Sequence, residues 1–127
     1  MVYKHIVMWK FKEQHNGKSA LENARWMKEQ LEALVGVVPE LLSAEVGISP
    51  TLEQAAAVPS NAAAAPSNAA AVPAPAASGE YDACLVSTFT SPEALAAYKV
   101  HPKHKAISAY CKEARLKRLA FDWWSEE

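Results

Sequence analysis

A tyrosine and two histidines lie within seven residues, in the stretch YKVHPKH, and another histidine lies near the N-terminus in KHIVMWKF. They are Tyr98, His101, His104 and His5. Imidazole is the side chain best suited to accept a proton near neutral pH, and a tyrosine hydroxyl donates hydrogen bonds to carbonyl oxygens. We therefore expect His104 to act as a general base on a carbonyl compound, with Tyr98 stabilising the enolate oxygen that forms.

The proline between the two neighbouring histidines predicts where a helix begins. Proline is favoured at the first helical position, so Pro102 would put His101 at the cap and His104 in the first turn. The positive end of the helix dipole lowers the pKa of an imidazole there and favours its neutral form. His5 shares a strand face with Trp9, and we expect these two residues and His101 to line a cavity for a small apolar ligand.

Plain structural roles are open to the same side chains. The two neighbouring histidines could satisfy a helix start, His5 could be a packed strand residue, and Tyr98 could belong to the core. His101 and His104 could also share an ion with Glu45 or with the strand histidine, but zinc sites show three or four clear ligands. The glycines number four and are well separated, which argues against a phosphate-binding loop. We therefore expect neither a metal nor a cofactor.

The composition describes one domain of balanced charge. The chain has 127 residues, and 13 Lys and Arg against 14 Asp and Glu give a net charge of −1. Such a chain has no electrostatic attraction to nucleic acid or to an anionic membrane. Cys84 and Cys111 lack paired metal-ligand spacing, and the N-terminal pattern is that of a strand rather than of a secretory signal. We expect reduced thiols and a cytoplasmic location.

An uncharged, low-complexity insert at residues 54–79 interrupts the domain, which spans residues 1–127. Its 26 residues include 13 Ala and four Pro, and the units VPSNAAA, APSNAAA and VPAPAAS follow one another in it. Prolines at this spacing would break a membrane-spanning helix, and alanine offers little surface to bury. We predict a mobile surface linker.

The remaining residues predict seven elements. Apolar alternation indicates a strand at Val2–Phe11, and Ser19 with Glu22 forms a capping box for a helix that ends near Gly36. The other predicted elements are a strand at 41–48, a strand at 81–89, helices at 92–100 and 102–115, and a strand at 116–124. The order β-α-β-β-α-α-β is that of an α+β, ferredoxin-like split βαβ fold, with a four-stranded antiparallel sheet and its helices on one face.

The first and last strands carry large apolar side chains on both faces. Trp9 alternates with Met8 in the first strand, and Phe121 alternates with Ala120 in the last. An exposed apolar sheet face of this size is unusual in a soluble monomer. We therefore predict a homodimer whose two sheets pack face to face, with Trp9 and Phe121 open to solvent if the chain were alone.

Four stretches outside the insert form a family pattern, namely KHIVMWKFK, LLSAEVG, the segment YDACLVSTFTSPEALAAYKVHPKHKAI at 81–107 and a last strand ending near FDW. Together they resemble the stress-responsive α/β-barrel domain (Dabb) family. The resemblance implies a dimeric α/β barrel built from two ferredoxin-like protomers.

The family includes plant stress-associated proteins and a plant polyketide cyclase that performs an aldol-type ring closure without a cofactor. By this resemblance the catalytic histidine falls on His104, its tyrosine partner on Tyr98, and the other two histidine positions on His5 and His101. The resemblance implies a cofactor-free acid/base enzyme of cyclase, lyase or isomerase type, acting on a small carbonyl or polyketide-like compound. The alternative is a non-catalytic dimeric protein that is stress-associated or binds a small ligand.

Overall fold

A computed structural model describes residues 1–57 and 80–126 of the chain. From residue 58 onward, the predicted Ala/Pro insert lies outside the described residues. In chain order the described elements are β1 (Val2–Phe11), β2 (Gln14–His15), β3 (Lys18–Ser19), α1 (Ala20–Glu32), β4 (Ser43–Ile48), α2 (Pro50–Ala57), β5 (Ala83–Phe89), α3 (Pro92–Val100), α4 (Pro102–Ala114) and β6 (Arg115–Ser125).

The main sheet has four antiparallel strands in the order β4-β5-β1-β6. Buried and half-buried residues alternate strictly from His5 to Phe11 in the central strand β1, as the period of two requires. The buried set faces the helices and forms one core with residues of α1, α3 and α4. The predicted α+β, ferredoxin-like architecture is confirmed.

Local sequence signals explain where the three long helices begin. Ser19 Oγ accepts a hydrogen bond from the Glu22 amide at 3.1 Å, and Glu22 accepts one from the Ser19 amide at 2.9 Å, which is the predicted capping box. Ser91 caps α3 and His101 caps α4, each with a proline in the first turn. These caps set the position of the α3–α4 junction, which carries Tyr98 and His104.

Three elements of the structure, β2, β3 and α2, were not predicted. Strands β2 and β3 form a short hairpin around Asn16 and Gly17, whose φ angles are 58° and 75°. Asn-Gly is the preferred pair for a two-residue turn with both φ angles positive, but two-residue strands are too short to show a period. Helix α2 was also missed, and it includes residues 54–57 of the predicted insert.

The prediction that Trp9 lies on the open face of the sheet is wrong. Trp9 is 6% exposed and lies on the helix side, opposite Arg118 in the register of β1 and β6. Phe121 pairs with Ile6 on the other face and is 64% exposed. Alternation separates two sets of side chains, but the sequence does not say which set the helices cover.

Among residues 1–57 and 80–126, no helix is long and apolar enough to cross a membrane.

Candidate active site

A cavity of about 290 Å³ lies between the helix side of the sheet and helix α4. Its apolar walls come from both layers, from Val7, Trp9, Leu31, Leu85 and Ile107. Two histidines, His5 and His104, line the same space. The structure therefore brings together His5, His104 and Trp9 of the residues predicted for the site.

His104 is held by the backbone of the preceding helix. Its Nδ1 lies 3.2 Å from the carbonyl oxygen of Lys99, and since a carbonyl only accepts, Nδ1 carries the hydrogen. The Nε2 lone pair is then the basic atom of the ring. Burial lowers the pKa of His104, the bond to Lys99 opposes this, and the charges of His5, Arg118 and Lys99 lower it further. The lowered pKa that the sequence predicted thus has burial as its largest cause.

His5 forms a second oriented imidazole. Its Nδ1 lies 2.5 Å from Asp122 Oδ1, and because a carboxylate accepts, Nδ1 donates and Nε2 keeps its lone pair. His5 is 3% exposed, and its burial lowers the pKa more than the bond to Asp122 raises it. Sequence reasoning missed Asp122, because the pairing of residues 117 positions apart requires the register of β1 with β6.

Tyr98 packs against the candidate base but does not line the cavity. Its ring centroid lies 4.3 Å from that of His104 and 5.1 Å from that of Phe89, and the side chain is completely buried. Its hydroxyl has no hydrogen-bond partner among the described residues, and burial raises its pKa. This placement supports a role in positioning His104 rather than direct contact with a ligand.

Replacing Tyr98 with Phe should leave the protein as stable or raise the free energy of unfolding by about 1 kcal/mol, because an unpaired buried hydroxyl is removed. Urea denaturation measures this. The matched control is Tyr110→Phe, since the Tyr110 hydroxyl donates to Asn23 Oδ1 at 2.5 Å and its loss should cost about 1 kcal/mol. A larger loss for Tyr98→Phe than for the control would show that the Tyr98 hydroxyl has a partner.

His101 lies at the start of α4, outside the cavity lining. Its Nδ1 accepts a hydrogen bond from the Lys103 amide at 3.2 Å, which satisfies one of the free N–H groups of the first turn. Of the four predicted polar residues, His5 and His104 line the cavity, whereas Tyr98 and His101 do not.

The two cavity histidines predict a loss of stability in acid. Both have a pKa below the ordinary 6.5 in the folded chain, so below about pH 6.5 the unfolded chain binds more protons. The free energy of unfolding is therefore retained above pH 6.5, and it falls as the pH drops from 6.5 through the lowered pKa values that the two histidines have in the folded chain. Melting temperatures measured from about pH 8 to pH 5 test this, and His104→Gln should flatten the acid slope. An unchanged slope in that variant would contradict the assignment.

Comparison with known proteins supports the fold. The family model described as the stress responsive A/B barrel domain (Dabb) matches residues 3–60 and 69–125. No curated protein sequence matches the chain.

Solved structures with the same fold include two bacterial proteins of unknown function. A dimeric protein with a ferredoxin-like fold from Bacteroides fragilis has a TM-score of 0.70 and 21% identity, covering 98% of this chain and 96% of its own. A dimeric ferredoxin-like protein from Thermobifida fusca has a TM-score of 0.66 and 19% identity, with coverages of 98% and 92%. A hydroxynitrile lyase from Passiflora edulis has a TM-score of 0.68 and 15% identity, with coverages of 99% and 95%.

Proposed function

This chain belongs to the stress-responsive A/B barrel domain (Dabb) family, and from that premise we propose that it is a cofactor-free acid/base enzyme acting on a small carbonyl compound. The observation that carries the proposal is a pair of oriented imidazoles, His5 and His104, in one largely apolar cavity. Burial lowers the pKa of both, so both are neutral near pH 7. A neutral imidazole is the form that a general base requires.

His104 is the base in this proposal. The Lys99 carbonyl holds its Nδ1 hydrogen, so the ring presents the Nε2 lone pair to an α-proton. His5 is the second proton carrier, because Asp122 stabilises its imidazolium form once a proton arrives. Positive charge from Lys99 and Arg118, which line the cavity, stabilises the enolate oxygen. We assign Tyr98 to positioning, since its ring contacts His104 while its hydroxyl stays outside the lining.

A second function is a small-ligand-binding protein without catalysis. The observation that favours it is that Tyr98, the predicted hydrogen-bond donor to a ligand, does not line the cavity and has a buried hydroxyl with no partner among the described residues. The hydroxynitrile lyase from Passiflora edulis supports the enzymatic proposal only in that it is an enzyme with this fold.

We further propose that the chain forms a homodimer through the open face of the sheet. That face exposes Val86, Leu119 and Phe121 to solvent in the single chain. An apolar sheet face of this kind needs cover, and the structures from Bacteroides fragilis and Thermobifida fusca are described as dimeric.

Cys84 and Cys111 are free thiols, which supports the proposed cytoplasmic location.

Deuterium uptake at the α-carbon tests the enzymatic proposal without knowledge of the natural substrate. Phenylacetone, acetoacetate and phenylpyruvate are incubated with the protein in D₂O, and loss of the α-proton signal is followed by NMR. We expect at least one compound to exchange faster than with the His5→Gln/His104→Gln double variant. The control is His101→Ser, which keeps a capping residue at α4 and should exchange like the wild type. Equal exchange rates in the wild type and the double variant for all three compounds would refute the enzymatic proposal and leave small-ligand binding as the proposed function.

A further inference from the structure

One side of the cavity is basic, although the chain as a whole carries a net charge of −1. Four cationic residues line it, namely Lys99, Lys112, Arg115 and Arg118, and none of the described residues that line it is acidic. They come from α3, α4 and the start of β6, so three elements contribute positive charge to one space. This concentration of charge is local rather than a consequence of composition.

These four side chains form no ion pair with the described residues, whereas Lys10, Lys28 and Lys117 do. Lys10 pairs with Asp82 at 3.2 Å, and Lys28 pairs with Glu32 at 2.7 Å. Lys117 lies on the same strand as the two arginines, yet its Nζ reaches Glu80 at 3.1 Å outside the cavity. The charge of Asp122 acts on Arg118, but this carboxylate is already hydrogen-bonded to His5. The cavity therefore has positive charge that its own residues do not neutralise.

The two arginines are placed to act together. Arg118 pairs with Trp9 in the β1–β6 register, which puts it on the helix side of the sheet, and Arg115 joins the end of α4 to β6. Burial lowers the pKa of Arg118, and the like charge of Arg115 lowers it further, whereas the charge of Asp122 raises it. A bound anion would relieve that repulsion, and guanidinium groups match the planar geometry of a carboxylate.

We propose that the ligand of this cavity is a small amphipathic carboxylate. Its carboxylate contacts Arg115 and Arg118, and its apolar body packs on the wall that contains Trp9 and Leu85. This inference rests on the proposed function, in which the two histidines act on a carbonyl compound. The substrate is then an oxo acid. Its carboxylate is the anchor, and its carbonyl group faces the histidines. Neutral ketones of the same size would lack the anchor.

Paired binding probes test this inference. Phenylacetate and phenylacetamide have the same apolar body and differ in charge. We expect the wild type at about pH 8, where the histidines are neutral, to bind phenylacetate at least about tenfold more tightly by NMR titration. Arg118→Gln should remove most of that preference. Lys117→Gln is the matched control, since it removes one charge from the same strand outside the cavity and should keep the preference.

The salt dependence of the wild type gives a readout that needs no variant. The preference for phenylacetate should shrink as the ionic strength rises from about 0.01 M to 1 M, because screening weakens charge attraction at the partly exposed arginines. Equal affinity for the two probes at low salt, including failure of both to bind up to about 10 mM, would overturn the inference. A preference that survives Arg118→Gln unchanged would overturn it as well.

The same measurements separate this inference from the proposed function. Phenylacetate has no ketone, so its binding reports the anion site alone. A carboxylate preference without α-proton exchange would refute the enzyme and retain the anion site. Exchange of phenylacetone as fast as that of phenylpyruvate, together with equal binding of the two probes, would refute the anion site and retain the enzyme.

Discussion

Replacing His104 with Gln will lower α-proton exchange by about 10²- to 10⁴-fold, which is the range that a positioned general base contributes. The glutamine amide can donate to the Lys99 carbonyl as the imidazole Nδ1 does now, so the local backbone contact is retained. What the variant lacks is the lone pair of Nε2. The expected loss is therefore a loss of chemistry rather than of structure.

The measurement compares first-order exchange rates at saturating protein for the wild type and the variant. Far-UV circular dichroism and the melting temperature at about pH 8 show that the variant is folded, since His104 is neutral there and its removal changes no charge. Tyr98→Phe is an informative companion, because a positioning residue that acts through its ring should keep most of the rate. If His104→Gln exchanges within about twofold of the wild type, His104 is not the base.

Replacing Phe121 with Asp will convert the protein to a monomer at micromolar concentration. Phe121 is 64% exposed in the single chain, and its ring stacks on Trp123 with centroids 5.8 Å apart. In a dimer with facing sheets this position is buried in both copies, so the variant places two carboxylates in an apolar interface. Each uncompensated buried charge costs about 3 kcal/mol or more, and a dissociation constant raised by at least about 100-fold follows.

Sedimentation velocity over a dilution series measures the dissociation constant of the dimer. Val100→Asp is the matched control: Val100 is 63% exposed, nearly the same as Phe121, but it lies at the end of α3, away from the open face of the sheet. The control should sediment as the wild type does. A wild-type protein that is monomeric at micromolar concentration, or a Phe121→Asp variant that remains dimeric, would refute the proposed interface.

Features that depend on neighbours in the chain were predictable. The Ser19 capping box, the Pro102 helix start and the alternation of β1 each involve residues at most a few positions apart, and the structure contains all three. The Asn16-Gly17 turn is of the same kind and was available to prediction. The burial of Tyr98 beside Leu95 also follows from helical spacing.

The sequence by itself thus determined the order of the four main strands and the three long helices, the helix caps and the two sets of side chains on each strand, because these follow from local backbone geometry. Tertiary structure alone decided that Trp9 faces the helices, that Asp122 meets His5 across 117 positions, and that arginines of β6 share a cavity with His104. These outcomes depend on strand register and on which face the helices cover. Both are settled by the packing of the whole chain, since the free energy of burying one face exceeds any preference that a short segment has.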